Sequence, residues 1–275
     1  MRRPNRDERV FISLPVLNEV ENIIPLLDRI DGSLAARPYV VCVVDDGSRD
    51  GTVDLLQRRE IDAPDSLHVL YRTKTRRGSQ RGGALLTALE WGLRHTDCDV
   101  FVEMDGDLSH CPEELPAAVD LVRDGVCDVV IASKFASRSR VTNRPFGRRF
   151  VSRACSAAVR ALLSRTVKDY SNGFRFYTRE AALVLADTKI RYTSPIYLSE
   201  AVAIWLRADL RIHEVSTTYV GRNEGISKLR VIDLVKAAIA VFEISLRYHI
   251  TGFAPKGARV LTGVAGSGEN YSVRK

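Results

Sequence analysis

The stretch Val40-Val41-Cys42-Val43-Val44-Asp45-Asp46-Gly47-Ser48 combines the two features that decide the fold of this 275-residue chain. Its first five residues are all apolar, which is typical of a strand covered on both faces. The strand ends in an acidic turn, and Asp50-Gly51-Thr52 then leads into a helix. A strand followed by a polar turn and a helix predicts an α/β protein with its ligands at the carboxyl ends of the strands.

The same unit recurs along the chain, at Val10–Leu14, Leu67–Tyr71, Val100–Val102 and Val129–Ser133. The repetition predicts a mixed, mainly parallel sheet flanked by helices, as in Rossmann-like folds. Two alternatives stay open for the pair Asp45-Asp46. One carboxylate is expected to cap the turn, whereas the other could accept hydrogen bonds from a nucleotide base or ribose.

A second acidic turn, Asp105-Gly106-Asp107-Leu108-Ser109, follows the apolar strand that begins at Val100. Two carboxylates on alternate residues and a nearby hydroxyl form a compact set of hard oxygen ligands. Such a set suits Mg²⁺ or Mn²⁺, especially an ion that is shared with a phosphate. The alternative is an acidic turn that caps the helix beginning near Pro112-Glu113-Glu114.

The composition is that of a globular protein, with 45% hydrophobic and 27% charged residues. A net charge of +7 favours an acidic partner such as a nucleotide, a lipid phosphate or an anionic membrane. Five cysteines without CxxC spacing indicate reduced thiols and a cytoplasmic location. The basic N-terminus does not resemble a signal peptide, and no apolar run reaches the roughly 18 residues of a spanning helix.

Three cationic segments could bind phosphate groups. The loop Arg72–Ala84 precedes a helix and is rich in glycine and cations, although a solvated basic loop explains it equally well. The segment Arg138–Arg149 carries five arginines, which favours an anionic acceptor or a lipid surface. The loop Gly221–Lys228 has a cation near each end and could close over a pyrophosphate.

The C-terminal region differs from the rest of the chain. Residues 229–253 have the periodicity of an amphipathic helix, which we expect to face a membrane or a partner protein. Residues 254–275 are rich in glycine and serine and are expected to be disordered. We therefore expect residues 1–228 to form a globular domain of their own.

Five motifs occur in an order that resembles a known enzyme family. They are Pro15-x-x-Asn18-Glu19, Val43-Val44-Asp45-Asp46-Gly47-Ser48-x-Asp50-Gly51-Thr52, Asp105-x-Asp107-Leu108-Ser109-His110, Ser171-x-Gly173-Phe174-Arg175 and Arg222-x-x-Gly225-x-Ser227-Lys228. Together they resemble the inverting family 2 glycosyltransferases of the GT-A fold, and among these the dolichol-phosphate and polyprenol-phosphate mannosyltransferases. The resemblance extends from about Val10 to Leu229, and it implies that residues 1–228 are the catalytic domain.

The resemblance implies a nucleoside pocket that lies after the first two strands. Pro15, Leu17 and Glu19 would line it, and Val44 and Asp46 would contact the base and ribose. The donor would be a nucleotide sugar, with GDP-mannose favoured and a UDP-sugar left open.

The resemblance also implies that Asp105 and Asp107 hold Mg²⁺ or Mn²⁺, with Gly106 and Ser109 in contact with the donor or the metal. Ser109 is included among the expected metal ligands.

The remaining implied contacts are cationic or polar. Lys134 stands where the family usually has arginine, near the transferred sugar and the acceptor phosphate. Arg148 and Ser152 would meet that phosphate, and Arg222 and Lys228 would hold the donor diphosphate. The residues expected to carry catalysis are Asp107, Lys134, Arg222 and Lys228.

The function implied is inverting transfer of a hexose to a polyprenyl or dolichyl phosphate, with peripheral contact to the cytoplasmic face of a membrane or to a small membrane partner protein. An ionised phosphate attacks without a general base, which agrees with the lack of an obvious base. The alternative is a small hydroxyl acceptor, for which Asp169 or Glu200 would serve as the base. A non-catalytic phosphate- or nucleic-acid-binding protein is a third alternative, but carboxylates in the cleft would repel nucleic acid, so no nucleic-acid partner is expected.

Overall fold

The computed structural model describes residues 9–72, 80–142, 156–157, 159–221, 231–248 and 262–263. Within these residues the chain forms a large mixed sheet with helices on both faces and a separate two-stranded ribbon. The strands are β1 Val10–Val16, β2 Tyr39–Asp45, β3 Leu67–Tyr71, β4 Val100–Glu103, β5 Val129–Ser133, β6 Arg140–Thr142, β7 Arg175–Thr178, β8 Ile212–Ser216, β9 Thr218–Val220 and β10 Thr262–Gly263. The helices are α1 Ile23–Leu34, α2 Thr52–Asp62, α3 Arg81–His95, α4 Leu115–Arg123, α5 Arg179–Ala186, α6 Tyr197–Arg207 and α7 Val231–Tyr248, with a 3₁₀ turn at Pro112–Glu114.

The order of strands in the large sheet is β10-β8-β5-β7-β4-β1-β2-β3. Strands β4, β1, β2 and β3 run parallel, and so do β5, β8 and β10. Strand β7 lies between β4 and β5 and is antiparallel to both. Strands β6 and β9 form the parallel ribbon. The loops after β1, β2 and β4 therefore leave the same edge of the sheet, which brings the two predicted acidic turns together.

The alternation of side chains along the strands divides the core into two layers. In β1, Val10, Ile12 and Leu14 face α1 and α4, whereas Phe11 faces the layer formed with α3, α5 and α6. Strands β1, β2, β4 and β5 are almost completely buried. Burial on both faces explains why they appear in the sequence as nearly continuous apolar runs.

The predicted fold class is confirmed, because the sheet is mixed, mainly parallel and covered by helices. The division into a catalytic domain, an amphipathic helix and a tail stays a prediction. Most of residues 254–275 lies outside the described residues, and the two that are described form β10. Cys42, Cys98 and Cys127 are buried free thiols, as expected, and Cys111 is a half-buried free thiol. No helix in the described parts of the chain combines the length and apolarity needed to cross a membrane.

Candidate active site

The acidic pair Asp105 and Asp107 lies in a tight turn directly after β4. The turn is fixed by its own polar groups, since the Asp107 carboxylate accepts a hydrogen bond from the backbone N–H of Ser109 (3.0 Å). Leu108 between them has a φ of 57°, a left-handed conformation that is uncommon outside glycine. Both carboxylates are partly exposed, while Ser109 is buried. The turn thus presents two carboxylates at the edge of the sheet where the strands end.

Gly106 brings the loop after β1 against this turn. A Cβ at Gly106 would lie 3.0 Å from Cγ2 of Val16 and 3.3 Å from the carbonyl oxygen of Pro15. A larger residue would therefore push the turn away from β1. This close approach of the two backbones places the acidic turn next to Pro15.

The buried side chain of His110 supports the acidic turn through hydrogen bonds. Its Nδ1 accepts a hydrogen bond from the backbone N–H of Asp105 (3.1 Å), and its Nε2 lies 3.2 Å from Oδ1 of Asn172. The ring is buried and stacks on Phe174 with 5.0 Å between ring centroids. Burial lowers the pKa of His110, and the two hydrogen bonds fit a neutral ring that carries its proton on Nε2. His110 is therefore a positioning residue for Asp105.

Glu103 fixes the end of β4, two residues before the acidic pair. Its Oε1 accepts hydrogen bonds from the hydroxyls of Tyr177 (3.2 Å) and Tyr197 (2.7 Å), in the layer of the core that contains α6. All three side chains are almost completely buried. The carboxylate raises the pKa of both tyrosines, after the larger effect of burial itself. The acidic turn is consequently attached to a rigid polar cluster in the core.

The loops after β1 and β2 are hydrogen-bonded to each other. Asn18 donates its backbone N–H to Oγ of Ser48 (2.7 Å), and Glu19 donates its own to Oγ1 of Thr52 (2.9 Å). Asp45 accepts hydrogen bonds from the backbone N–H groups of Gly47 and Ser48, both at 2.9 Å. The prediction that one carboxylate of the Asp45-Asp46 pair caps the turn is confirmed, and Asp45 is the one.

The residues predicted to line a nucleoside pocket belong to these same two loops and to the ends of β1 and β2. Leu17 is 39% exposed, Pro15 pairs in the sheet with Val44, and Asp46 is nearly buried beside them. The side chain of Val44 is fully buried in the core, so a ligand would meet only its backbone. Contact of Pro15, Leu17, Glu19, Val44 and Asp46 with a nucleoside stays a prediction.

Two arginines form ion pairs with the acidic groups of the two turns. Nε of Arg72 lies 3.1 Å from Oδ1 of Asp46, and Nη2 of Arg81 lies 2.6 Å from Oδ1 of Asp105. Both guanidinium groups are mostly buried, with 19% and 17% of each side chain exposed. Arg72 and Arg81 stand at the two ends of the cationic loop that the sequence left open as either a phosphate site or a solvated segment. At these two positions the loop belongs to the site.

Lys134 lies on the other side of the acidic turn. Its Nζ is 5.0 Å from the ring centroid of Tyr219, and that ring contacts His110 edge-on. Its backbone N–H donates to the carboxylate of Asp169 (2.9 Å). These contacts place Lys134 close to the acidic turn. Its contact with a sugar or a phosphate stays a prediction.

Both carboxylates considered as general bases are completely buried. Asp169 accepts hydrogen bonds from the backbone N–H groups of Ser171, Asn172 and Lys134. Glu200 accepts from the backbone N–H groups of Arg191 and Tyr192 and from the hydroxyl of Tyr248. Each carboxylate therefore stabilises a turn or a helix junction in the protein.

Four predicted site residues, namely Arg148, Ser152, Arg222 and Lys228, lie outside the described residues. The structure does, in contrast, add four residues to the site: Arg72, Arg81, His110 and Asn172. His110 adjoins the acidic motif in sequence, so a role beside it could have been suspected. The pairing of Arg72 and Arg81 with specific carboxylates left no signal in the sequence, because it depends on how α3 docks against the sheet.

The acidic turn fits a divalent cation that is shared with a phosphate. Within the described residues no group of three or more His, Cys, Asp or Glu side chains could hold a metal ion. The protein here offers two carboxylates, and Mg²⁺ is commonly bound by one or two carboxylates together with substrate phosphates. The buried Oγ of Ser109 has no hydrogen-bond partner among the described residues, and its role as a third hard oxygen ligand stays a prediction.

The fold and this site define the class of the protein, a glycosyltransferase of the GT-A fold. The chain belongs to glycosyl transferase family 2, whose model matches residues 11–184. It is 32% identical over 243 residues to the polyprenol monophosphomannose synthase of Mycolicibacterium smegmatis, covering 87% of this chain and 88% of that protein. It is 35% identical over 221 residues to the undecaprenyl-phosphate mannosyltransferase of Micrococcus luteus, covering 80% and 87%.

A solved structure is similar in fold over most of the chain. The glucosyl-3-phosphoglycerate synthase of Mycobacterium tuberculosis, in complex with Mn²⁺, UDP and phosphoglyceric acid, superposes with a TM-score of 0.61. The match covers 87% of this chain and 78% of that one, at 22% sequence identity. The family and the GT-A fold expected from the motifs are confirmed, and the protein is an enzyme that transfers a glycosyl group.

Proposed function

We propose that this enzyme transfers mannose from GDP-mannose to the phosphate of a polyprenyl lipid, with inversion at the anomeric carbon and with Mg²⁺ or Mn²⁺ bound at Asp105 and Asp107. The observation that carries the proposal is the juxtaposition of the acidic turn with the loops after β1 and β2. The printed names of the two bacterial relatives, each matched over most of its length, support the lipid phosphate acceptor and the mannosyl group. The Mn²⁺ and UDP in the similar solved structure support a divalent metal and a nucleotide-sugar donor.

In the proposed reaction an oxygen of the acceptor phosphate forms a bond to the anomeric carbon as the bond from that carbon to the donor diphosphate breaks. The metal would offset negative charge on the departing nucleoside diphosphate. Lys134, beside the acidic turn, would supply a further positive charge in the cleft. A lipid phosphate is already ionised at neutral pH, so the attack needs no general base.

A hydroxyl acceptor would need a general base, and two side chains were considered for that role. Asp169 and Glu200 are buried and already accept several hydrogen bonds within the protein. Replacing either one would remove acceptors from buried N–H groups and destabilise the fold. Their positions therefore favour the phosphate acceptor, and mutating them would not discriminate between the two acceptors.

We further propose that α7 lies on the membrane that contains the acceptor. Ile239, Phe242 and Leu246 form a stripe along this helix and are 54%, 52% and 57% exposed. The opposite face packs on the protein, and the exposed Lys236 adds a positive charge on one side of the stripe. An apolar stripe with a cation beside it suits the surface of an anionic bilayer.

Flotation with vesicles of anionic phospholipid tests the orientation of α7. Phe242→Ser with Leu246→Ser should release the protein, whereas Leu183→Ser, at a 43% exposed leucine of α5, should not. Binding unchanged by the double substitution contradicts the proposal. That result would indicate that a partner protein covers this face.

The catalytic proposal is tested by transfer from a panel of GDP- and UDP-sugars, with Mg²⁺ or Mn²⁺, to a polyprenyl phosphate or to small hydroxyl compounds. Asp107→Asn keeps the size of the side chain and removes its charge. It should reduce transfer at least about 100-fold if the carboxylate holds the metal. Asp65→Asn is the matched control, because Asp65 is exposed and precedes β3 at the opposite end of the sheet. Metal-dependent donor turnover without lipid transfer would move the acceptor to a hydroxyl compound, and no turnover with any donor would refute the proposal.

A further inference from the structure

The ion pair between Arg81 and Asp105 places a cation of the protein itself at a carboxylate proposed to bind metal. Nη2 of Arg81 lies 2.6 Å from Oδ1 of Asp105, and both side chains are about four-fifths buried. Arg81 is the first residue of α3, so its guanidinium extends from a helix end toward the turn after β4. The contact joins two segments that are more than twenty residues apart in the sequence.

The guanidinium fits beside Asp105 because Gly173 has no side chain. A Cβ at Gly173 would lie 1.8 Å from Nη2 of Arg81 and 2.5 Å from both Cζ and Nη1. The three atoms nearest to that Cβ all belong to Arg81. The place occupied by the guanidinium is therefore shaped by Gly173, which follows Asn172, the residue that contacts His110 under the acidic turn.

We propose that Arg81 acts as an intrinsic counter-ion of Asp105, and that it moves to the diphosphate when a divalent cation binds together with the nucleotide. This inference rests on the proposed binding of metal at Asp105 and Asp107. The further inference is that the metal binds weakly alone and tightly together with a nucleoside diphosphate. Arg81 opposes binding of the metal alone and assists binding of the metal with the diphosphate.

The physical reason is the balance of charge at the turn. Two carboxylates attract a divalent cation, but the guanidinium neutralises one of them and repels an approaching cation at short range. A diphosphate offers the guanidinium another anionic partner, and arginine binds phosphate oxygens with charge-assisted hydrogen bonds. Displacement of Arg81 from Asp105 is then favourable only when both ligands are present. By linkage, each ligand must raise the affinity of the other by the same factor.

The test measures Mn²⁺ binding directly, from the electron paramagnetic resonance signal of free Mn²⁺, with and without GDP. Arg81→Gln removes the guanidinium and should bind Mn²⁺ alone about fivefold more tightly, equivalent to about 1 kcal/mol for a partly exposed ion pair. The factor by which GDP strengthens Mn²⁺ binding should fall correspondingly. Arg94→Gln is the matched control, because it removes the same charge from the exposed far end of α3 and should leave Mn²⁺ binding unchanged.

Gly173→Ala is a second variant that keeps every charge and forces the guanidinium away from Asp105. It should strengthen binding of Mn²⁺ alone in the same direction as Arg81→Gln. Unchanged or weaker binding of Mn²⁺ alone in both variants overturns the inference, even if Mn²⁺ still binds the parent protein with GDP and supports transfer. Absence of Mn²⁺ binding from the parent protein with GDP overturns the inference and the proposed metal site together.

Discussion

Replacing His213 by leucine should reduce the loss of stability that the protein undergoes between pH 7.5 and pH 5. His213 lies in β8 opposite Val130 and is 1% exposed. Neither ring nitrogen has a hydrogen-bond partner in the part of the chain that the structure describes. Burial alone lowers the pKa of His213 from 6.5 to about 4. The ring is therefore neutral in the folded protein across this pH range, and unfolding allows it to take up a proton.

The sign of the effect follows from the lowered pKa. Stability is full above the unfolded pKa of 6.5 and is lost as the pH falls toward the folded value of about 4. At pH 5 the unfolded ring is almost fully protonated while the folded ring is not, which lowers the free energy of unfolding by about 2 kcal/mol relative to pH 7.5. Below pH 4 the loss approaches about 3 kcal/mol.

Urea unfolding at pH 7.5 and pH 5 measures this difference. The parent protein should lose about 2 kcal/mol more than His213→Leu between the two pH values, because all other titrating groups are common to both. His213→Gln is the matched control, since it stays polar without titrating and should show the same reduced loss of stability between the two pH values. An equal loss of stability in the parent and in both variants would refute a neutral, buried His213.

Two further predictions concern packing around the site and are checked by thermal unfolding. Gly82→Ala should lower the free energy of unfolding by about 1–3 kcal/mol, because its Cβ would lie 2.5 Å from Cβ of Tyr197 and α3 would have to move. Gly32→Ala, in an exposed helical position with no atom within 4 Å, should instead raise the free energy of unfolding by about 0.5–1 kcal/mol. Tyr197→Phe should cost about 1.5–3 kcal/mol by removing a 2.7 Å bond to the buried Glu103 carboxylate, and more than Tyr177→Phe, whose bond is 3.2 Å. Gly82→Ala as stable as the parent, or equal costs for the two tyrosines, would contradict these geometries.

The sheet and the acidic turns were predictable because their signals are local. An apolar run such as Val40–Val44 needs burial on both faces, whatever covers it. The acidic turn after β2 is stabilised by hydrogen bonds within the turn, since Asp45 accepts from the N–H groups two and three residues later. Asp105 and Asp107 belong to a short motif on one turn. Each of these features depends on residues that are neighbours in the chain.

The contacts that join distant segments could not be predicted in the same way. Asp169 and Glu200 have the chemistry of general bases, and only the fold reveals that backbone N–H groups surround them. Arg81 is one of many cations in a basic loop, and its selection by Asp105 requires the space that Gly173 leaves. Sequence reveals which charges are present, whereas tertiary packing decides which of them meet.

Each of the two acidic turns has one carboxylate paired with an arginine before a ligand binds. Arg72 and Arg81 compensate Asp46 and Asp105 before any ligand is bound, which lowers the cost of keeping these carboxylates mostly buried. A metal ion offsets about two negative charges on a donor diphosphate, and the departing nucleoside diphosphate gains one more as the glycosidic bond breaks. A guanidinium released from Asp105 by that metal would stand beside this extra charge. If Arg81 moves as proposed, the arginine that opposes binding of the metal alone would stabilise the leaving group once both ligands are present.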